Sequence, residues 1–297
     1  MIVNDLVRQK PLTAAQWTKR IAWRHAVGIL AVVFALFPLI WMISASFDTL
    51  GSLSAQKLIP DRPGLENFRT LFGNPDQPYL TWLKNSIIIS SANAVLQMFI
   101  GATAAYALSR FRFKGRKLTL MTILVVQMFP QLLAATSIFL MLADLGKSIP
   151  FLALGQTSAL IIVFAGGALG INAWMLKGFY DTIPSEIDES AKIDGASHAQ
   201  IFFRIILPLA RPVLAVITLL SFIGTMNEFL ITSVILGGNQ KSLTLAVGMQ
   251  QYIDGQYNAH WGPFAAGALI ASVPVMILFL YLQKHVVAGL TAGANKG

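Results

Sequence analysis

The sequence predicts an all-α, polytopic membrane bundle of six transmembrane helices. Three observations point to it. Of 297 residues, 55% are hydrophobic and 12% are charged, about half the charge that soluble domains carry. Six long apolar runs follow one another along the chain. Lys and Arg then divide unequally between alternate loops.

A hydrocarbon core of about 30 Å needs roughly 20 apolar residues per helix. The runs are 26–47, 86–109, 118–142, 157–176, 213–236 and 263–283. Five lack Asp, Glu, Lys and Arg altogether, and the fifth run holds Glu228. The first run is longer than the apolar region of a secretion signal and follows a basic leader, so it reads as an uncleaved anchor. The chain thus divides into an N-terminal segment (1–25), a six-span domain (26–283) with a large loop at 181–212, and a tail (284–297).

Six spans place both termini on one side. Segments 1–25, 110–117, 177–212 and 284–297 hold 16 Lys/Arg, and segments 48–85, 143–156 and 237–262 hold 6. Positive loops stay inside, so both termini are expected in the cytoplasm. The cluster from Arg110 to Lys117 reads as a topogenic turn against anionic lipid headgroups. The net charge of +9 is therefore a matter of topology and needs no nucleic acid. Zero cysteines exclude disulfides and thiolate metal sites. The four histidines are scattered and give no metal-ligand spacing.

Small residues at Gly101/Ala105, Gly166/Gly170 and Gly267/Ala271 have the spacing of close helix contacts. Pro130 and Pro274 lie inside spans and are expected to bend them. Trp82 and Trp261 read as interfacial anchors.

The loop 181–212 is amphipathic and punctuated. Ser185-Glu186-Ile187-Asp188 has the form of a capping box, and Gly195 suits a left-handed C-terminal cap. Ser197-His198-Ala199-Gln200 opens a second helix, which Pro208 and Pro212 are expected to end. Two short helices at a glycine elbow must rest their apolar faces on something.

Here the residues resemble a family. Permeases of binding-protein-dependent ABC importers carry a cytoplasmic Glu-Ala-Ala, a Gly after three further residues, then nine residues to Ile-x-Leu-Pro. This chain reads Glu189-Ser190-Ala191, Gly195 and Ile205-Ile206-Leu207-Pro208 with each spacing kept, departing only at Ser190. Gln127-Met128-Phe129-Pro130, the stretch from Leu243 to Tyr252 and Gly289-Leu290-Thr291-Ala292-Gly293 are similar to the MalG-type permeases of maltose/maltodextrin importers. Relatives in that group also carry trehalose and other oligosaccharides.

The resemblance implies roles. Glu189, Ser190, Ala191, Asp194, Gly195, Ile205, Leu207 and Pro208 would belong to the segment containing a coupling helix seated in an ATPase subunit. Thr291, Gly293 and Lys296 would lie in a tail reaching that ATPase. Gln250, Gln251, Tyr252 and Gly255 would contact a binding protein. The implied partners are a homologous MalF-type permease, an ATPase dimer, an extracytoplasmic sugar-binding protein and membrane lipid. No cofactor belongs to this chain; ATP and Mg would sit in the ATPase. The family's main sugar site lies in the partner permease.

Five residues are candidates for the substrate path: Asn227, Glu228, Gln127, Pro130 and Asn172. An ionisable group at mid-span is costly unless it faces a cavity or finds a partner. Glu228 therefore has two readings, pore lining or a hydrogen-bonded tie between helices. Asn93 poses the same question, with packing favoured, and Trp174 and Phe222 could offer aromatic faces to a sugar. Gly146-Lys147-Ser148 mimics the end of a phosphate-binding loop, but Met141 stands where that loop needs its first glycine. The chain is thus expected to be non-catalytic. An ion-coupled carrier is the rival class; it usually needs several intramembrane ionisable sites, and the runs offer one.

Overall fold

The computed structural model describes residues 18–49, 57–254 and 260–294. Helices dominate, and among the described residues the extended pairing is a single bridge between Asp48 and Pro63. The helices are α1 (Trp23–Phe47), α2 (Glu66–Gly73), α3 (Tyr79–Arg110), α4 (Arg116–Gln127), α5 (Gln131–Ser148), α6 (Thr157–Ala165) and α7 (Ile171–Tyr180). They continue as α8 (Ser185–Ile193), α9 (His198–Leu209), α10 (Arg211–Met226), α11 (Leu230–Leu236), α12 (Leu245–Gln250) and α13 (Trp261–Ala294).

Three of these helices are long and apolar enough to cross a bilayer alone: α1, α3 and α13. The third, fourth and fifth expected spans are each interrupted. Pro130 does not bend a continuous helix. It separates α4 from α5, with φ −62° and ψ 119° at the start of α5, because it has no N–H to continue the ladder. In the fourth span the backbone tightens into a 3₁₀ turn at Gly166–Leu169, then breaks at Gly170, so α6 and α7 meet at 42°. Gly166 and Gly170 therefore do not share one helical face. A Cβ at Gly170 would overlap the Gln127 amide, which packs on this break from the third span and would have to swing aside. The fifth span breaks at 227–229, between α10 and α11. Pro274, by contrast, sits within an uninterrupted α13.

α3 is the central helix and packs against α6, α7, α10 and α12. Gly101 permits this approach: its missing Cβ would lie 3.3 Å from the Ala168 carbonyl oxygen. Gly267 is similarly flush, with the Tyr79 hydroxyl donating to its carbonyl at 2.7 Å. Two apolar cores form along the bundle. One, at the end that carries 181–212, joins Ala105, Tyr106, Leu176, Tyr180, Ile201 and Ile206. The other joins Tyr79, Trp82, Leu236, Met249 and Tyr252 at the opposite end. Trp82 is 0% exposed and its indole N–H donates to the Gln240 carbonyl at 2.8 Å. It is a core residue and not the interfacial anchor expected from its place before a span.

Candidate coupling segment and substrate path

The segment 181–209 builds a rigid elbow. Helix α8 ends at Ile193 with Asp194 as its C-cap, and Gly195 follows with φ +82°, a left-handed backbone that glycine adopts without steric cost. The Gly195 N–H donates to the Lys192 carbonyl at 3.0 Å and the Ala196 N–H to the Ala191 carbonyl at 2.9 Å. These are the paired bonds of a Schellman motif, which satisfy carbonyls that a helix end would leave unpaired. Two residues later the Gln200 N–H donates to Ser197 Oγ and the Ser197 N–H to Gln200 Oε1, completing the capping box that opens α9. The expected first box does not form. Pro184 occupies the cap position, no side chain caps α8, and Asp188 turns inward instead.

Asp188 meets Arg110 at the end of α3. Arg110 Nε lies 2.5 Å from Asp188 Oδ2, with the side chains 11% and 7% exposed. The approach is an ion pair without hydrogen-bond geometry, and Arg110 Nε and Asp188 Oδ1 have no hydrogen-bond partner among the described residues. The same guanidinium donates through Nη2 to the Ile183 carbonyl at 3.0 Å. Ser109 Oγ donates to Asp181 Oδ1 at 2.7 Å, and Lys177 Nζ pairs with Asp181 Oδ2 at 2.5 Å. Burial alone would raise the Asp181 carboxyl, but the bonds from Lys177 and Ser109 outweigh it and hold the group below its ordinary range. Sequence reasoning placed Arg110 in a topogenic cluster and Asp188 in a capping box, and so missed this anchorage.

With one side anchored, the other is presented. Glu189, Ser190, Asp194 and Gly195 are exposed, and Ile193 is 87% exposed. Ala191, Ile205, Leu207 and Pro208 are half-buried, while Ile201, Phe202 and Ile206 fill the core beneath. The backbone widens to a π turn at Phe202–Ile206 and runs on through Pro208, so that proline does not end the helix. A 79° bend separates α9 from α10, where Pro212 occupies the first turn.

Three path candidates share one cavity of about 660 Å³: Gln127, Asn172 and Glu228, beside Asn93, Gln97, Ser221 and Thr225. Asn172 Nδ2 donates to Gln97 Oε1 at 2.9 Å and to Ser221 Oγ at 3.2 Å, and Ser221 Oγ donates to Gln97 Oε1 at 2.9 Å. Asn93 Nδ2 donates to Thr225 Oγ1. These amides tie three spans together. Glu228 lines the cavity, and its carboxylate accepts the N–H groups of Ile231 (2.8 Å) and Thr232 (2.9 Å) and the Thr232 hydroxyl (2.6 Å), so it caps the start of α11 and does not tie that helix to another span. Asn227 belongs elsewhere, lining an apolar cavity of about 710 Å³ with Gln250, Met42 and Phe264. Pro130 stays in the turn before α5. Phe222 is 5% exposed within the core, which removes it as a sugar-stacking face.

At the opposite end, Gln250 donates to Asp254 and Gln251 pairs with Gln240, both half-exposed. Tyr252 is 2% exposed, so a direct contact with a docked protein is corrected to a core role. Gly255 and Lys296 lie outside the described residues. Thr291 and Gly293 fall in the last turns of α13. Gly146-Lys147-Ser148 forms the last turn of α5, not the helix start where a phosphate loop would lie.

Residues 97–291 match the family model described as "Binding-protein-dependent transport system inner membrane component". The chain belongs to that family. It is accordingly a membrane component of a binding-protein-dependent transport system. It is 38% identical to a maltose/maltodextrin transport system permease protein MalG of Vibrio vulnificus (strain YJ016), over 98% of this chain and 99% of that one. It is 39% identical to the galactooligosaccharides transport system permease protein GanQ of Bacillus subtilis (strain 168), over 94% and 96%. Among solved structures it is similar in fold to a bacterial ABC transporter involved in the import of the acidic polysaccharide alginate. There the TM-score is 0.72 at 24% identity, covering 92% of this chain and 98% of that chain.

Proposed function

We propose that this family member is the permease subunit of an ATP-driven sugar importer, with maltodextrins as the substrate class. The observation that carries the proposal is the two-sided coupling segment. Its inner face is locked to the bundle by Arg110 and Asp188, and its outer face offers Glu189 and Ile193 for another protein. A displaced ATPase surface would move such an anchored helix, where a loose loop would absorb the motion. The maltodextrin assignment rests on full-length similarity to MalG. The comparable similarity to GanQ supports a second reading, in which the cargo is a galactooligosaccharide.

In this reading both termini face the cytoplasm, a MalF-type permease completes the pore, and two ATPase subunits carrying ATP and Mg dock on α8. A sugar-binding protein docks near Gln250 and Gln251, and Thr291, Gly293 and Lys296 lie toward the ATPase. The 660 Å³ cavity with Gln127, Asn172 and Glu228 lies along the substrate path.

Reconstitution with the partner subunits tests the proposal. Uptake of labelled maltotriose should require ATP and the binding protein, and Glu189→Lys or Gly195→Asp should abolish it while membrane insertion persists. Uptake that survives ATP depletion and collapses with the proton gradient would refute it in favour of an ion-coupled carrier.

A further inference from the structure

The coupling segment is joined in sequence to the fourth and fifth spans, and beside the Lys177–Asp181 pair on the fourth it has polar ties to the second. Ser109, the Arg110 guanidinium and the Arg110–Asp188 pair fasten residues 181–188 to the last turn of α3. From there α3 runs unbroken for 32 residues, about 48 Å at about 1.5 Å per residue. Its far end is fastened just as closely. The Trp82 indole donates to the Gln240 carbonyl, Asn85 Nδ2 donates to the carbonyls of Lys241 and Leu243 (2.9 Å each), and Ser86 Oγ accepts the Leu245 N–H at 2.7 Å. Gly248 lies flush on the Trp82 ring, where any Cβ would overlap it. The third, fourth and fifth spans are all interrupted and offer joints that would absorb a displacement.

We propose that α3 is the transmission rod of the subunit: it couples α8 at one end to the segment 240–251 at the other, with Arg110 and Asp188 as the positioning residues that weld α8 to it. This rests on the reading of α8 as the ATPase contact. Motion of α8 then reaches the segment holding Gln250 and Gln251 without passing through the broken spans. Loading of a partner at 240–251 reaches α8 by the same route, since coupling between two sites is reciprocal. Removing one member of a buried ion pair leaves the other charge uncompensated, so the weld is the weak point of the rod.

The absence of cysteine from the sequence allows clean spin-labelling. In the assembled transporter, labels at Glu186→Cys on α8 and Val95→Cys on α3 should keep one narrow separation in nucleotide-free and ATP-bound states. In Asp188→Asn the same separation should broaden or shift on adding ATP. The ratio of hydrolysis with loaded binding protein to hydrolysis without it should fall on the order of tenfold in Asp188→Asn and in Arg110→Gln. The exchanged pair Arg110→Asp with Asp188→Arg should regain part of it, which a general folding defect would not do. A nucleotide-dependent separation in the otherwise unsubstituted labelled protein overturns the rod, and that measurement decides even where a variant fails to accumulate. Undiminished stimulation in Asp188→Asn overturns the weld alone. A parent complex with no ATP hydrolysis at all overturns the coupling reading beneath both.

Discussion

Glu228 offers a quantitative test of whether the mid-span carboxylate holds the fold. It stands in the break between α10 and α11 and accepts three hydrogen bonds, two from backbone N–H groups at the start of α11 and one from the Thr232 hydroxyl. Thr232 is 0% exposed, so truncating Glu228 leaves its hydroxyl without that acceptor. Loss of a helix-start acceptor costs about 1 kcal/mol, loss of a negative charge at a helix N-terminus about 0.5 kcal/mol, and loss of the hydroxyl bond about 1 kcal/mol. Glu228→Ala should therefore destabilise the chain by about 2–3 kcal/mol, and Glu228→Gln, which keeps one acceptor oxygen, by about 1 kcal/mol. Unfolding of the purified chain in mixed micelles, followed by circular dichroism against rising SDS, measures both. On a Thr232→Val background the cost of Glu228→Ala should shrink by about 1 kcal/mol, because the hydroxyl bond is already gone. A Glu228→Ala protein within about 0.5 kcal/mol of the parent, or a cycle with no coupling, would refute the structural role and leave only the cavity-facing one.

Three further outcomes follow from local geometry. Ser197→Ala removes the Oγ that caps α9 and should cost about 1 kcal/mol, read by the same unfolding assay, with Ser197→Asp close to the parent. Gly248→Val places side-chain atoms into the Trp82 indole and should cost about 1–3 kcal/mol; it should also alter the tryptophan emission in a way that vanishes on a Trp82→Phe background. Asp181 has a folded carboxyl held below its ordinary value by Lys177 and Ser109, so its stabilisation is complete above the unfolded value and is lost as pH falls through the folded one. Asp181→Asn should lower stability at neutral pH and flatten that part of the acid limb of a stability–pH curve, because it removes in advance the stabilisation that the parent loses in acid.

What the sequence made legible is what local rules govern. Gly195 and the Ser197/Gln200 box depend on contacts within five residues, and spacing alone locates them. Hydropathy also found each apolar run, since transfer free energy sums along the chain. It could not see that three of the runs are broken, because the breaks at Pro130, Gly170 and Glu228 are matters of backbone geometry and of neighbours such as Gln127. Trp82 departed from expectation for a related reason: it carries an apolar body with a polar tip, which suits a lipid interface and a buried hydrogen-bonded core equally well. Arg110 is the most instructive case. A basic residue at the basic end of a span satisfies the topology rule, and an acidic residue in the first turn of α8 satisfies the helix dipole. Each looked fully explained by itself. Only tertiary structure shows that they face each other with little water around them. In a membrane chain with 12% charged residues, charges at span boundaries therefore have two tasks to perform, and the one that fixes topology hides the one that fixes the fold.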